Sequence, residues 1–460
     1  MSYTFPEPLL ASLRQLPGFR EKEFLDAHYG GSPVVSLRMH PLKPLEPHWK
    51  NTQPIPWCST GFYLQERPSF TLDPAFHAGA YYVQEASSMF TDYLIRQILP
   101  QLSGLRVLDL CAAPGGKTTL LASLLDADSL LVSNEVIHSR VPILLENVVR
   151  WGYPQNWVSR NDPAEFEKLP GFFDMILVDA PCSGSGLFRK KTEHSEAWSQ
   201  DLVDHCAARQ KRIVHAAWKA LAEGGWLVYA TCSFSPEENE AILDELASHY
   251  EVKQNYTLSI PESWQIMETE SAKHQLKGYR FFPDRLQGEG FFIAVVQKMQ
   301  GEKKVKPPRY KSLHQPAIAK MTTHLLTDNR HRIYMQGQSG AFCIDAQHEE
   351  DWHLLQSCLH LKKAGTLLGE AKHKEWIPDH ALALSVEKHT DVPQFTLDKE
   401  QALRYLSKQD LAVDIPAKGW YIATYKGLGI GWFKSLGNRI NNYLPSSWKI
   451  RMDIRNDMTS

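Results

Sequence analysis

The chain has 460 residues, 43% of them hydrophobic and 22% charged, which exceeds what one hydrophobic core serves and points to two or three globular domains rather than a disordered or fibrous chain. The net charge of −2 hides an asymmetry: residues 301–460 carry 23 Lys and Arg against 17 Asp and Glu, whereas residues 1–300 carry 27 against 35. No run reaches the ~18 uncharged apolar residues of a membrane span, and the opening MSYTFPEPLL has neither a basic nor an apolar leader segment, so no membrane partner and a cytoplasmic location are expected.

Residues 1–100 read as a small α+β appendage, helical over Leu9–His28 and then mixed, with an extended segment at VVSLRMHP (34–41). Residues 101–300 alternate short apolar runs with helical periodicity, the pattern of parallel βαβ units. The runs LRVLDLC (105–111), LLVSNEV (130–136), WVSRND (157–162), DMILVDAP (174–181) and WLVYATCS (226–233) predict five parallel strands. Between them, helices are predicted over Lys117–Leu125, His138–Trp151 and Ala197–Leu221, the last ending at Gly224-Gly225. A further helix is expected from Ser235 or Pro236 to about Tyr250, opened by a Ser-x-x-Glu capping box that Glu238 completes. Strands at Tyr279–Phe282 and Phe291–Gln297 would complete a seven-stranded α/β sheet of Rossmann-like type.

GEKKVKPPRYKS (301–312) has the basic, Pro-containing profile of a linker. In residues 313–460, Gly427, Gly429, Gly431 and Gly437 interleave with Trp432, Phe433, Lys434, Arg439, Tyr443, Trp448, Lys449 and Arg451. Aromatic faces stack on unpaired bases and cations meet phosphates, so this composition suits an RNA-contacting surface, and equally a small β-barrel with a charged rim.

Chemistry concentrates at the ends of the predicted strands. The loop Cys111-Ala112-Ala113-Pro114-Gly115-Gly116-Lys117 follows the first strand, where small residues let a ligand approach the backbone; it is neither a dinucleotide fingerprint nor a Walker loop. Glu135, Asp162 and Asp179 end the next three strands. An acid after strand two can accept from a ribose diol, and one after strand three can reach an adenine amino group, so the set points to an adenosine-containing cofactor. Cys182 and Cys232 each lie just past a buried strand, at the same edge. The seven cysteines are odd in number and hold no Cys-x-x-Cys pair, which fits neither a disulfide framework nor a zinc site, and no metal is expected. Cys58, Cys206, Cys343 and Cys358 read as buried apolar side chains, and Cys111 as bulk within the loop.

DLCAAPGGKTT, DAPCSGSG and TCSFSPEENE, preceded by YYVQEASSM (81–89), resemble the Sun-type family of RNA cytosine 5-methyltransferases over roughly residues 30–300. The run KGLGIGWFK…NRINNYLP is similar to the tail of that family's bacterial small-subunit ribosomal RNA enzymes, which carries a PUA-like RNA-binding module. The resemblance implies a seven-stranded methyltransferase fold, S-adenosyl-L-methionine as cofactor, and RNA, by preference ribosomal RNA or a ribosomal subunit, as the partner of a monomer. It further implies that Cys111–Lys117 surround the methionine part of the cofactor, Glu135 the ribose and Asp162 the adenine, with Asp179 near the methyl donor. Cys232 takes the position of the nucleophile and Cys182 that of a second cysteine linked to product release. Asp162-Pro163 departs from the Gly or Ala expected after the acid, which puts the local turn in doubt. A transfer RNA substrate, a DNA-type enzyme with Cys182 as nucleophile, and an RNA-binding assembly factor without turnover are the competing expectations.

Overall fold

A computed structural model describes residues 4–454 apart from 31–32, 191–192, 254–255, 302–303, 328–330, 339, 373–374, 412 and 414–416. The central sheet is built on β1 (Arg106–Asp109), β2 (Leu130–Asn134), β3 (Asn156–Ser159), β4 (Phe173–Asp179), β5 (Leu221–Thr231), β6 (Lys277–Phe281) and β7 (Phe291–Lys298), in the order β6-β7-β5-β4-β1-β2-β3. β1 to β5 are parallel, β7 is antiparallel to β5, and β6 antiparallel to β7.

The parallel strands are buried on both faces, and their residues divide between two cores with the period of two that a strand imposes. Leu108, Val132, Ile176, Val178 and Leu227 pack beneath Ile213, Val214, Ala217 and Trp218 of helix α3 (Gln200–Ala220) and Ile242, Leu243 and Leu246 of α4 (Glu240–His249). Val107, Leu131, Met175, Leu177 and Val228 face the opposite way, onto Leu121 and Ala122 of helix α1 (Gly116–Leu124) and onto Leu94, Ile95 and Ile98. Helix α2 (Val141–Trp151) packs Leu144 and Val148 against Val158 of β3 and Ala112 and Ala113 after β1. Because the chain runs outward from β1 through β2 and β3 and then crosses back to β4, the crevice between the ends of β1 and β4 is a topological switch point, where ligands bind in open α/β sheets.

The seven expected strands are all present, but the sheet has ten among the described residues: Met267–Glu270 extends the β6 edge, Val252–Lys253 pairs with β7, and Leu361–Lys363 from the C-terminal region pairs antiparallel with β3. Four expected boundaries are corrected. Leu9–His28 is two helices, Glu7–Leu13 and Glu21–Gly30, separated at Pro17-Gly18. The helix predicted over Ala197–Leu221 is broken: Glu193–Ala197 is followed by α3, whose cap is the Ser199 side chain accepting from Leu202 N. Gly224 and Gly225 do not cap it; they lie inside β5, where a Cβ on Gly225 would come 2.9 Å from the Asp174 carbonyl oxygen. α4 starts at Glu240 rather than Ser235, after a 3-10 turn at Pro236–Glu238.

The N-terminal region forms a four-stranded antiparallel sheet, Gln53–Ile55, Cys58–Leu64, Val35–Met39 and Tyr81–Val83, while Phe5 ahead of its first helix and Phe24 on its second pack against Phe188 and Phe234, behind the cysteine segments. The C-terminal region contains two sheets. The first (Arg332–Gly337, Gly340–Asp345, Thr366–Lys372 and Glu375–Pro378) shares the central core through Met335 and Phe342, joined by Trp352 and Leu355 of the helix Glu349–Cys358. The second (Gln394–Thr396, Gly419–Tyr425, Leu428–Ser435 and Ile440–Asn442) packs Phe433, together with Leu403 and Tyr405 of the helix Lys399–Leu406, onto Leu37, Phe70 and Tyr81 of the N-terminal region. Trp432 and Phe433, expected at an RNA-facing surface or in a barrel core, are buried. Among the described residues no helix is long and apolar enough to cross a membrane.

Candidate active site

The loop after β1 is fastened to its neighbours by backbone bonds: Leu110 N donates to Leu177 O at 2.9 Å and Ala112 N to Asn134 O at 2.8 Å. Asn134 at the end of β2 gathers three strand ends, donating to Leu110 O and Asn161 O while its Oδ1 accepts from Ser159 Oγ and Asn161 N. Gly115 has φ of +112°, a conformation that favours glycine, and it opens α1 without a side-chain cap.

A cavity of about 920 Å³ opens at this edge, within the size range of small-molecule sites. Cys111, Ala113, Pro114, Glu135, Asp162, Asp179, Cys182 and Cys232 line it, so the sheet brings eight of the twelve expected residues to one space. Ala112, Gly115, Gly116 and Lys117 stand behind the lining, and the Lys117 ammonium pairs with the Asp179 carboxylate at 2.8 Å. Glu135 is buried; its Oε1 accepts from Ile137 N at 2.8 Å, and Arg140 lies 3.4 Å from its Oε2. Asp162 caps a 3-10 turn, Pro163–Lys168, by accepting from Ala164 N, and Glu165 completes a capping box, so the Asp-Pro departure yields a well-made turn.

At the other end the Sγ atoms of Cys182 and Cys232 are 3.1 Å apart, and all seven cysteines are free thiols. A hydrogen bond with the Cys232 sulfur, then burial and the charges of neighbouring groups, Glu238 among them, push the Cys182 thiol well above its ordinary range, so Cys182 holds its proton firmly. Burial likewise pushes Cys111 up, which agrees with its reading as bulk rather than as a reactive thiol.

The matches with known proteins fall on these features. The family model for the 16S rRNA methyltransferase RsmB/F matches residues 97–297, that for the N-terminal domain of 16S rRNA methyltransferase RsmF matches residues 5–86, and that for the methyltransferase RsmF PUA domain matches residues 392–450. The ribosomal RNA small subunit methyltransferase F of Vibrio cholerae serotype O1 (strain M66-2) is 30% identical over 472 residues, covering 96% of this chain and 97% of its own. The chain belongs to the RsmB/F methyltransferase family. The protein of the same description from Psychromonas ingrahamii is 31% identical over 436 residues, covering 89% of this chain and 88% of its own. Among solved structures, a methyltransferase homologue from Pyrococcus horikoshii is similar with a TM-score of 0.54 at 28% identity, covering 64% of this chain and 96% of that one. NSun6 from the same organism shares the fold, with a TM-score of 0.52 at 21% identity and coverage of 64% and 99%.

For this RsmB/F chain the cofactor is S-adenosyl-L-methionine, and the residues present fit it. The buried Glu135 carboxylate is an acceptor for a diol, the exposed Val136 and Ile137 beside it offer apolar surface, and the small loop residues leave the cavity open.

Sequence reasoning missed two carboxylates here. Asp109 ends β1 fully buried, accepting from Thr118 Oγ1 at 2.6 Å while its Oδ1 has no partner among the described residues. Burial, partly offset by Thr118 and reinforced by Asp179, pushes its carboxyl up to about 7. Glu238 was read as half of a local capping box; it instead accepts from Ser183 N at 2.7 Å, Ser183 Oγ at 2.6 Å and Ser233 Oγ, and the Ser235 hydroxyl has no partner among the described residues. Its position in TCSFSPEENE was the available signal, hidden by a pattern that serves both uses.

Proposed function

We propose that the protein transfers a methyl group to carbon-5 of a cytosine in small-subunit ribosomal RNA, with Cys232 as covalent nucleophile and Cys182 as the residue that resolves the adduct. The observation that carries this reading is the pair of sulfurs 3.1 Å apart at the edge of the cavity that the expected cofactor residues line.

Carbon-5 of cytosine is too weak a nucleophile to be methylated directly, and addition of a thiolate at carbon-6 makes it enamine-like. Cys232 forms the Sγ–C6 bond as its thiol proton passes to N3, and N3 gives that proton back when the sulfur leaves. Asp179, paired with Lys117, is positioned to hydrogen-bond the amino edge and favour that protonation. Bound S-adenosyl-L-methionine, held by the Cys111–Lys117 loop, Glu135 and Asp162, supplies the electrophilic methyl that carbon-5 takes up. Cys182, or a water it orients, receives the carbon-5 proton; the C5–C6 double bond reforms and the thiolate of Cys232 leaves. The N-terminus of α4 does not directly follow Cys232, because a 3-10 turn at Pro236–Glu238 intervenes and α4 begins only at Glu240.

The names of the relatives and the PUA match support the RNA assignment. The reading places catalysis in residues 101–300 and RNA binding in residues 1–100 and 313–460, with 301–312, partly outside the described residues, as the connection. Trapping on RNA carrying 5-fluorocytosine tests the chemistry: the adduct is expected to vanish in Cys232→Ala and to accumulate in Cys182→Ala. An adduct that survives Cys232→Ala and disappears in Cys182→Ala would reverse the roles. Bisulfite mapping of cellular RNA with and without active protein tests the substrate, and an unchanged small-subunit RNA would remove it.

A further inference from the structure

The two cysteines leave different strands, β4 and β5, yet their sulfurs meet. The two segments are joined directly, by Gly186 N donating to Cys232 O and Phe234 N donating to Ser185 Oγ, each at 2.8 Å, and the residues next to the two cysteines are also bridged by Glu238, whose side chain is fully buried. Oε1 accepts from the backbone N–H of Ser183, the residue after Cys182, at 2.7 Å, and from Gln210 Nε2 of α3 at 3.4 Å. Oε2 accepts from Ser183 Oγ at 2.6 Å and from the hydroxyl of Ser233, the residue after Cys232. The carboxylate is itself held: Tyr229 donates its hydroxyl to the Glu238 carbonyl at 2.7 Å, and Gln210 also donates to Pro181 O at 3.0 Å. Asn239 completes the arrangement, accepting from Thr231 Oγ1 and donating to Ser233 O on either side of Cys232.

We propose that Glu238 is a positioning residue of the methyl-transfer site, clamping the residues next to both cysteines and thereby setting the sulfur-to-sulfur distance on which attack and release depend. This rests on the roles given above to Cys232 and Cys182. A buried carboxylate costs several kcal/mol unless it is compensated, and no cationic partner of Glu238 occurs among the described residues; its compensation is four donors, three of them on the two serines that follow the cysteines. An apolar side chain would fill the space with less desolvation, so what the carboxylate adds is geometry. Its negative charge also faces Cys182 and helps that thiol keep its proton.

The test is steady-state kinetics of Glu238→Gln, Ser233→Ala and the double variant on RNA substrate, with cofactor affinity measured separately by titration with S-adenosyl-L-methionine. Glu238→Gln is expected to lower kcat about 100-fold, the scale of an ångström-level misplacement of reacting groups. Cofactor affinity should stay within twofold, since Glu238 does not line the cavity. Ser233→Ala should lose about tenfold, and the double variant should be no slower than Glu238→Gln, because both changes break one clamp. Wild-type kcat in Glu238→Gln, or additive losses that track only the unfolding midpoint, would overturn the inference. Should Glu238→Gln fail to fold, Ser183→Ala beside Ser233→Ala carries the same expectation of lowered kcat at unchanged cofactor affinity. Trapping with Cys232→Ala runs in parallel: an adduct there sinks the nucleophile assignment, whereas loss of that adduct with normal turnover in Glu238→Gln sinks the clamp alone.

Discussion

The two ends of the cavity are built differently. At the cofactor end two of the three expected carboxylates are held by an amide two residues along, Glu135 by Ile137 N and Asp162 by Ala164 N. At the cysteine end the contacts reach across the chain: Ser183 to Glu238 spans 55 residues, Cys182 to Cys232 spans 50, and Phe234 N to Ser185 Oγ spans 49. A local turn keeps its geometry when distant parts shift, whereas the cysteine pair depends on β4, β5, α3 and the β7 edge keeping their mutual positions. Substitutions remote from the ligands should therefore damage the cysteine end and spare the cofactor end.

Asp109 gives the largest effect, and it sharpens the comparison because its one partner, Thr118, is near in sequence while its burial comes from the whole sheet. Its folded-state carboxyl is raised to about 7 against about 3.9 for an exposed Asp, so the folded chain holds this proton more tightly than the unfolded one. The stability it contributes is present below pH ~4 and lost as pH rises through about 7, roughly 4 kcal/mol over that window. Asp109→Asn should remove this dependence: denaturant unfolding at a series of pH values should show the variant gaining on the parent as pH rises. A constant difference between the two would mean that Asp109 stays ionised in the fold.

Gly186 comes next. A Cβ there would lie 2.5 Å from Gly290 O and 2.8 Å from Cys232 O, between backbone atoms that cannot yield cheaply, and Gly186 N donates to Cys232 O at 2.8 Å. Gly186→Ala should push the β5 end away and lower kcat about 100-fold, with cofactor affinity within a few-fold of the parent. Equal losses in both quantities would erase the distinction between the two ends.

The same contrast explains what the sequence reveals. Continuous apolar runs mark β1 to β5, and the strand-end acids and cysteines follow from their offsets to those runs, so these parts of the cavity lining were legible, whereas Arg209, Arg212 and His215, which α3 brings to it, were not. Glu238 was not, because Ser235-x-x-Glu238 satisfies a local rule that the fold overrides by using the carboxylate 55 residues away. Gly224-Gly225 misled for a related reason: a helix ending in Leu221 with extended dihedrals passes straight into β5, where Gly224 takes a φ of +75° and Gly225 allows a close approach to Asp174. Leu361–Lys363 is too short for any periodicity, yet it covers the β3 edge, with Lys363 Nζ donating to Asn156 O and Gly365 O.

The smaller effects belong to the cofactor end. Glu135→Gln should weaken cofactor binding about tenfold, the cost of one charge-assisted hydrogen bond, and raise KM for the cofactor with kcat nearly unchanged. Asp162 separates structure from ligand contact most finely, since Oδ1 caps the turn through Ala164 N at 3.0 Å while the residue also lines the cavity. Asp162→Ala should lose about 1 kcal/mol of stability with the cap and several-fold in cofactor affinity. Asp162→Ser restores a capping oxygen on a shorter side chain with no charge, so it should regain the stability but not the affinity. If Ser recovers both, the cap alone shapes this end of the cavity and Asp162 makes no contact with the adenine; if it recovers neither, the turn depends on the longer reach of the carboxylate.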